Sequence, residues 1–278
     1  MSDQRTHVVT TTDGVTIGGT VHGQGPPLVF LHGSLGDGDL DWQALLPHLT
    51  GRFTCYLPSR RGRGLSGDHP DHSPGRVVDD ILAYVDSIEA PTGLVGWSAG
   101  ATLTLAAAGA QSDAVTAVAV YEPPLGPVMG ERQRAARVAA VVRMGELATE
   151  GRSTDAARTW AGFVFHDEEV AALESAGYLE AVGRYVPVLL NDIRQAMQSE
   201  GPDPADPELL DRISAPMLVL HGPDTRPFFT AAARYVADHV PNARIQQIPG
   251  VGHAAPLTHP EALAEALTEF FSPAQQPA

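Results

Sequence analysis

The chain contains no lysine; all 18 of its basic residues are arginines. That absence excludes Schiff-base chemistry, a lysine general base and the lysine of a phosphate-binding P-loop. Cysteine is nearly absent too. Cys55 stands alone, so neither an intramolecular disulfide nor a multi-cysteine metal site can form. It lies in the apolar run 53–57 and reads as a buried strand residue. Positive charge is scarce: the formal net charge is −15 at pH 7. The densest basic run, Arg60-Arg61-Gly62-Arg63, is too short to supply the clustered positive surface that nucleic-acid binding requires. No stretch approaches the roughly 18 apolar residues of a membrane span. Residues 1–10 carry no apolar leader run. A cytoplasmic protein is expected, a monomer or homodimer, with no nucleic-acid or membrane partner, no metal and no cofactor.

What remains is ordinary globular composition. The 278 residues are 43% hydrophobic and 18% charged, enough for one large domain or a domain with an insertion. Runs 6–12 and 15–21, rich in Val, Ile and Thr, flank Asp13-Gly14 and predict a β-hairpin. Leu28-Val29-Phe30-Leu31 has the continuous apolar character of a strand buried on both faces. It runs into His32-Gly33-Ser34. Residues 41–49 show helical spacing at Trp42, Leu45, Leu46 and Leu49, and 53–57 reads as the next strand. Ser73-Pro74 supplies an N-cap and N1 for a helix whose apolar face is Val77, Val78, Ile81, Leu82, Val85 and Ile88. Residues 114–121 form a further strand ending in Glu122-Pro123-Pro124.

The alternation then stops. Residues 131–199 read as helical, and 201–207 as a linker rich in Pro and Asp. It resumes with strands at 217–221 and 243–248 and helices at 228–239 and 260–271, leaving 272–278 as a frayed tail. Alternating short strands and amphipathic helices imply a mostly parallel, twisted sheet with helices on both faces. The helical stretch, inserted before the penultimate strand, is expected to lie over the strands' C-terminal ends, where ligands of such sheets bind. The expected division is a core of 1–124 and 208–278 with a helical cap of 125–207.

Gly96-Trp97-Ser98-Ala99-Gly100 follows a strand and opens a helix-forming run, the context in which G-x-S-x-G lifts a serine above a sheet edge. Downstream, His253 sits in the glycine-rich loop between the last strand and the last helix, so serine precedes histidine in the chain. Four segments together resemble the α/β-hydrolase superfamily: His32-Gly33, Arg61-Gly62-Arg63-Gly64-Leu65-Ser66, Gly96-Trp97-Ser98-Ala99-Gly100 and Pro249-Gly250-Val251-Gly252-His253-Ala254. Where that family usually has an Asp shortly before the Arg-Gly pair, this chain has Ser59.

The resemblance implies Ser98 as nucleophile, His253 as general base, and the backbone N–H groups of Ser34 and Ala99 as the oxyanion hole. The acid has two candidates. Many relatives place an Asp three residues after the glycine that follows the strand at 217–221; here that position is Thr225, with Asp224 one residue early. Tyr121-Glu122-Pro123-Pro124 instead resembles a branch that takes its acid from the earlier strand, fungal zearalenone lactonases among them, and Glu122 is preferred. Gly33, Trp97 and Trp160 are expected to face the substrate.

A serine nucleophile argues for attack at a carbonyl, because alkyl-enzyme esters need an enzyme carboxyl. The expected function is hydrolysis of a carboxylic ester or lactone of a small to medium hydrophobic acyl compound. The alternatives are a non-hydrolytic member of the fold (a cyclase, lyase or ligand receptor) and a haloperoxidase-like perhydrolase.

Overall fold

The computed structural model describes residues 5–110, 113–199 and 203–272. Part of the expected linker, 201–202, and the tail 273–278 lie outside the described residues. Among the described residues, eight strands form one sheet: β1 (Arg5–Thr10), β2 (Thr16–Gly23), β3 (Pro27–Leu31), β4 (Thr54–Pro58), β5 (Thr92–Trp97), β6 (Val115–Tyr121), β7 (Met217–His221) and β8 (Ala243–Gln247). Their order is β1-β2-β4-β3-β5-β6-β7-β8. β1 pairs antiparallel with β2, and β2 with β4. Every other pairing is parallel. The leading hairpin therefore lies at one edge, as its sequence predicts.

The helices are α1 (Gly38–Trp42), α2 (Leu46–Leu49), α3 (Pro74–Asp86), α4 (Ala99–Gly109), α5 (Glu131–Thr149), α6 (Ser153–Val164), α7 (Asp167–Ser175), α8 (Tyr178–Gly183), α9 (Val186–Gln198), α10 (Pro207–Asp211), α11 (Pro227–His239), α12 (Ala255–Thr258) and α13 (Pro260–Phe271). The period of two in β3 divides its side chains between two cores. Val29 and Leu31 pack with Val77, Ile81 and Val85 of α3. Leu28 and Phe30 join a cluster that holds Leu263 and Leu267 of α13. That second cluster runs on into the helices between β6 and β7 through Met144, Leu147, Leu179 and Val186. The inserted helices therefore share a hydrophobic core with one face of the sheet. Among the described residues, no helix is long and apolar enough to cross a membrane.

Three local expectations are revised. The helix over 41–49 is two short helices, because Pro47 has no N–H to give the Gln43 carbonyl and the run must restart. Ser73 does stand at the N-cap of α3, but its hydroxyl makes no capping bond there. The linker gives way at once to α10, whose N-cap Asp206 accepts from the Glu208 N–H at 2.9 Å.

Candidate active site

Ser98 leaves β5 with φ 54° and ψ −123°, a strained conformation for a residue with a side chain. The two flanking glycines make the turn possible. A Cβ on Gly100 would stand 2.1 Å from the Leu31 carbonyl oxygen, and one on Gly96 would stand 2.2 Å from Thr104 Oγ1. One strand over, Glu122 also has positive φ, at 51°. The register pairs Trp97 with Tyr121, so the two strained residues leave adjacent strands side by side. The Ser98 N–H donates to the Tyr121 carbonyl at 3.0 Å, and the Glu122 N–H to the Leu220 carbonyl at 3.1 Å.

His253 stands between them. Its Nε2 is 3.0 Å from Ser98 Oγ and its Nδ1 is 2.7 Å from Glu122 Oε2. An ionised carboxylate only accepts, so Nδ1 carries the proton and Nε2 is left to accept from the serine hydroxyl. All three side chains are buried; Glu122 is wholly so. Its carboxylate is held by the Gly222 N–H and the Thr225 hydroxyl, each at 2.9 Å. Asp224, the other acid candidate, is exposed. Its backbone bridges to the histidine loop through an N–H to the Val251 carbonyl at 3.2 Å, but its carboxylate does not reach His253. The sheet edge turns Thr225 inwards and Asp224 outwards.

The histidine loop is fixed at consecutive backbone groups. Tyr121 Oη donates to the Gly252 carbonyl at 2.5 Å, and Trp97 Nε1 donates to the His253 carbonyl at 2.9 Å. Glu169 Oε1, on α7, accepts from the Ala254 N–H at 2.7 Å. Phe229 of α11 stacks on the imidazole with centroids 3.8 Å apart, and Phe165 and Trp97 stand close by.

The loop after β3 lies beside the serine turn: a Cβ on Gly33 would meet the Trp97 ring, and one on Gly100 the Leu31 and His32 carbonyls. Ala99 opens α4, so its N–H has no intrahelical acceptor. Ser34 Oγ accepts from Trp160 Nε1 of α6 at 2.8 Å, tying the side chain to the inserted helices. The Gly33 N–H donates to Asp41 Oδ2 at 2.8 Å, and Asp41 Oδ1 accepts from Tyr178 Oη of α8 at 2.7 Å. Burial pushes the Asp41 carboxyl up to about 7, against the pull of these two hydrogen bonds. Trp97 is buried against Trp42 and Phe165.

A charged network lies behind this loop. Arg61 is buried and forked onto Asp80 at 2.7 Å, with Asp13 at 3.1 Å. Arg60 and Arg63 meet Asp192 of α9 at 3.3 and 2.9 Å. His72 lies between Asp192 at 2.7 Å and Asp68 at 2.8 Å, and these carboxylates raise its pKa against the effect of burial. Burial works against the charge of Asp192, but Arg63, His72 and Arg60 hold it at about 2.

Several of these residues escaped the sequence reading. Thr225 was visible only as the residue standing in the expected acid position. Glu169, Asp41 and Asp192 sit in unremarkable contexts, and only the docking of the inserted helices gives them a role.

An open sheet of this strand order, with a serine turn and a histidine loop at one edge, is the architecture of an α/β hydrolase. Residues 28–266 match the Alpha/beta hydrolase family, and the chain belongs to it. Among individual relatives, it is 26% identical to the pimeloyl-[acyl-carrier protein] methyl ester esterase of Xanthomonas campestris, over 91% of this chain and 97% of that one. A shorter similarity, 31% identity over 90 residues, links it to the pyrrolizixenacetamide deacetylase of Xenorhabdus hominickii, covering 32% of this chain and 34% of that protein. The crystal structure of an α/β hydrolase from Sphaerobacter thermophilus superposes with a TM-score of 0.74 at 29% identity, covering 96% of this chain and all of that one.

Proposed function

We propose that this ester-acting hydrolase cleaves a carboxylic ester or lactone of a small to medium hydrophobic substrate through an acyl-enzyme on Ser98. The observation that carries the reading is the buried chain Ser98–His253–Glu122, with contacts of 3.0 and 2.7 Å. Ser98 Oγ attacks the substrate carbonyl carbon while His253 Nε2 takes its proton. Glu122 holds the imidazole tautomer and offsets the charge of the imidazolium. The tetrahedral oxyanion is bound by the N–H groups of Ser34 and Ala99. On collapse, His253 returns the proton to the leaving alkoxide. Water then attacks the acyl group, again with His253 as base; the bond to Ser98 Oγ breaks, His253 returns the proton to that oxygen, and the carboxylic acid departs.

The segment 125–207 acts as a cap over the core of 1–124 and 208–278. Gly33, Trp97 and Trp160 line the acyl side of the site, and Phe165 of the inserted segment completes an aromatic wall. An aromatic, uncharged wall favours an apolar acyl group. The test is a panel of p-nitrophenyl esters and aliphatic and aromatic lactones, assayed with wild type and Ser98→Ala. The reading expects turnover that Ser98→Ala abolishes; equal turnover by both proteins contradicts it.

A further inference from the structure

We propose that Arg60 is a positioning residue for the oxyanion-binding N–H of Ser34, acting through the Gly33 carbonyl. This rests on the reading of Ser34 as an oxyanion donor. A trans peptide is planar, so the Gly33 C=O and the Ser34 N–H lie in one plane and point in opposite directions. Whatever fixes the Gly33 oxygen fixes the direction of the Ser34 N–H. Two donors do so: Arg60 Nη2 at 2.8 Å and His32 Nδ1 at 2.9 Å.

Residue 60 stands behind both donors. The Arg60 backbone N–H donates to His32 Nε2 at 3.0 Å, which leaves the imidazole proton on Nδ1, where the Gly33 oxygen accepts it. His32 is fully buried. The guanidinium contributes a second effect. A charged donor on the carbonyl draws density towards oxygen and makes the N–H at the other end of the amide a stronger donor. Arg63 repeats the contact one peptide further on, donating to the Ser34 carbonyl at 3.2 Å.

Arg60 is itself held from the inserted segment, through Asp192 on α9. The docking of that helix is thereby linked to the orientation of the peptide facing Ser98. Asp192 lies one contact further from that peptide and has the weaker effect.

The test uses Arg60→Gln, Arg60→Lys and Asp192→Asn in the whole chain, each checked for folding by circular dichroism. Labelling of wild-type Ser98 by a fluorophosphonate first establishes the nucleophile. Turnover of p-nitrophenyl acetate is then compared with inhibition by an alkyl trifluoromethyl ketone, which forms a tetrahedral oxyanion on serine, and by the corresponding alcohol, which does not. Arg60→Gln is expected to lower kcat/KM about 10- to 100-fold, less than deletion of an oxyanion donor does. KM should stay within about twofold, as for an interaction made in the transition state. The ketone Ki should rise by the factor that kcat/KM falls, the alcohol Ki should stay constant, and Arg60→Lys should recover part of the loss. Asp192→Asn should show the same proportionality with a smaller fall. A merely structural role would lower the folded fraction and leave the ketone Ki of the folded enzyme unchanged. Unchanged kinetics in Arg60→Gln, or ketone and alcohol affinities falling together, overturns the positioning role. If Arg60→Gln does not fold, Arg60→Lys is read against wild type by the same proportionality. No labelling at Ser98 in wild type overturns the underlying reading, whereas labelling with unaltered Arg60→Gln kinetics overturns the positioning role alone.

Discussion

Thr225 Oγ1 donates to Glu122 Oε2 at 2.9 Å, and that same oxygen faces His253 Nδ1 at 2.7 Å. The position at which the family resemblance leads one to expect an acid is thus occupied by a threonine that donates to Glu122 on the neighbouring strand. Glu122→Gln keeps the shape of the side chain but removes the charge opposite the imidazolium. It is expected to lower kcat by about a thousandfold or more. Asp224→Asn, on an exposed side chain, should leave kcat near wild type. Steady-state kinetics of the two variants, side by side, checks the ranking.

Thr225→Val is nearly isosteric and removes one of the donors to a buried carboxylate. A hydrogen bond to a charged group in such a place contributes about 1.5 to 3 kcal/mol. The variant should be less stable by an amount in that range, measured by urea unfolding, and should lose activity without a large change in KM.

Glu169 holds the N–H of the peptide whose carbonyl is held by Trp97 Nε1. One clamp comes from the residue beside Ser98, the other from the inserted helices. Glu169 also closes its own helix start, Oε2 accepting from the His166 N–H at 3.0 Å. Glu169→Ala should therefore cost about 1 to 2 kcal/mol of stability and lower kcat, while Glu169→Gln, with one accepting oxygen in place of two, keeps only one of these bonds and should fall between Glu169→Ala and wild type. Thermal unfolding and kinetics on the same preparations separate the two effects.

Asp41 gives the stability a pH dependence of definite sign. Burial raises its folded-state value from 3.8 to about 7. Between those limits the folded protein holds a proton that the unfolded chain has lost. The contribution of this group to stability therefore falls as pH rises through that window. Asp41→Asn cannot ionise. The stability of wild type minus that of Asp41→Asn should decline from about pH 4 to about pH 7 and level off above. A difference independent of pH would show that Asp41 is not protonated in the folded state.

The strands were legible because they depend on local pattern. The apolar block 28–31, the hairpin signal at Asp13-Gly14 and the glycines around Ser98 each act over a few residues. The serine turn and histidine loop could be placed in chain order for the same reason. Which carboxylate faces His253 was harder to read. Glu122 and Asp224 both leave the same sheet edge, and what separates them is the direction in which a loop turns one side chain. That direction follows from backbone geometry, the positive φ at Glu122 and the bridge between Asp224 and Gly252. The contacts of the inserted helices were not legible at all. Asp41 to Tyr178 spans 137 residues and Ala254 to Glu169 spans 85. No short motif encodes partners that far apart, and they meet only when the helices settle on the core.

In the proposed reaction Ser98 carries the acyl group. Rapid mixing with p-nitrophenyl acetate, acid quenching and peptide mass spectrometry test it most directly. A burst of nitrophenolate stoichiometric with enzyme and an acetyl group on the peptide holding Ser98 are expected, both absent in Ser98→Ala. An acetyl group on another residue, or turnover that persists in Ser98→Ala, would contradict it.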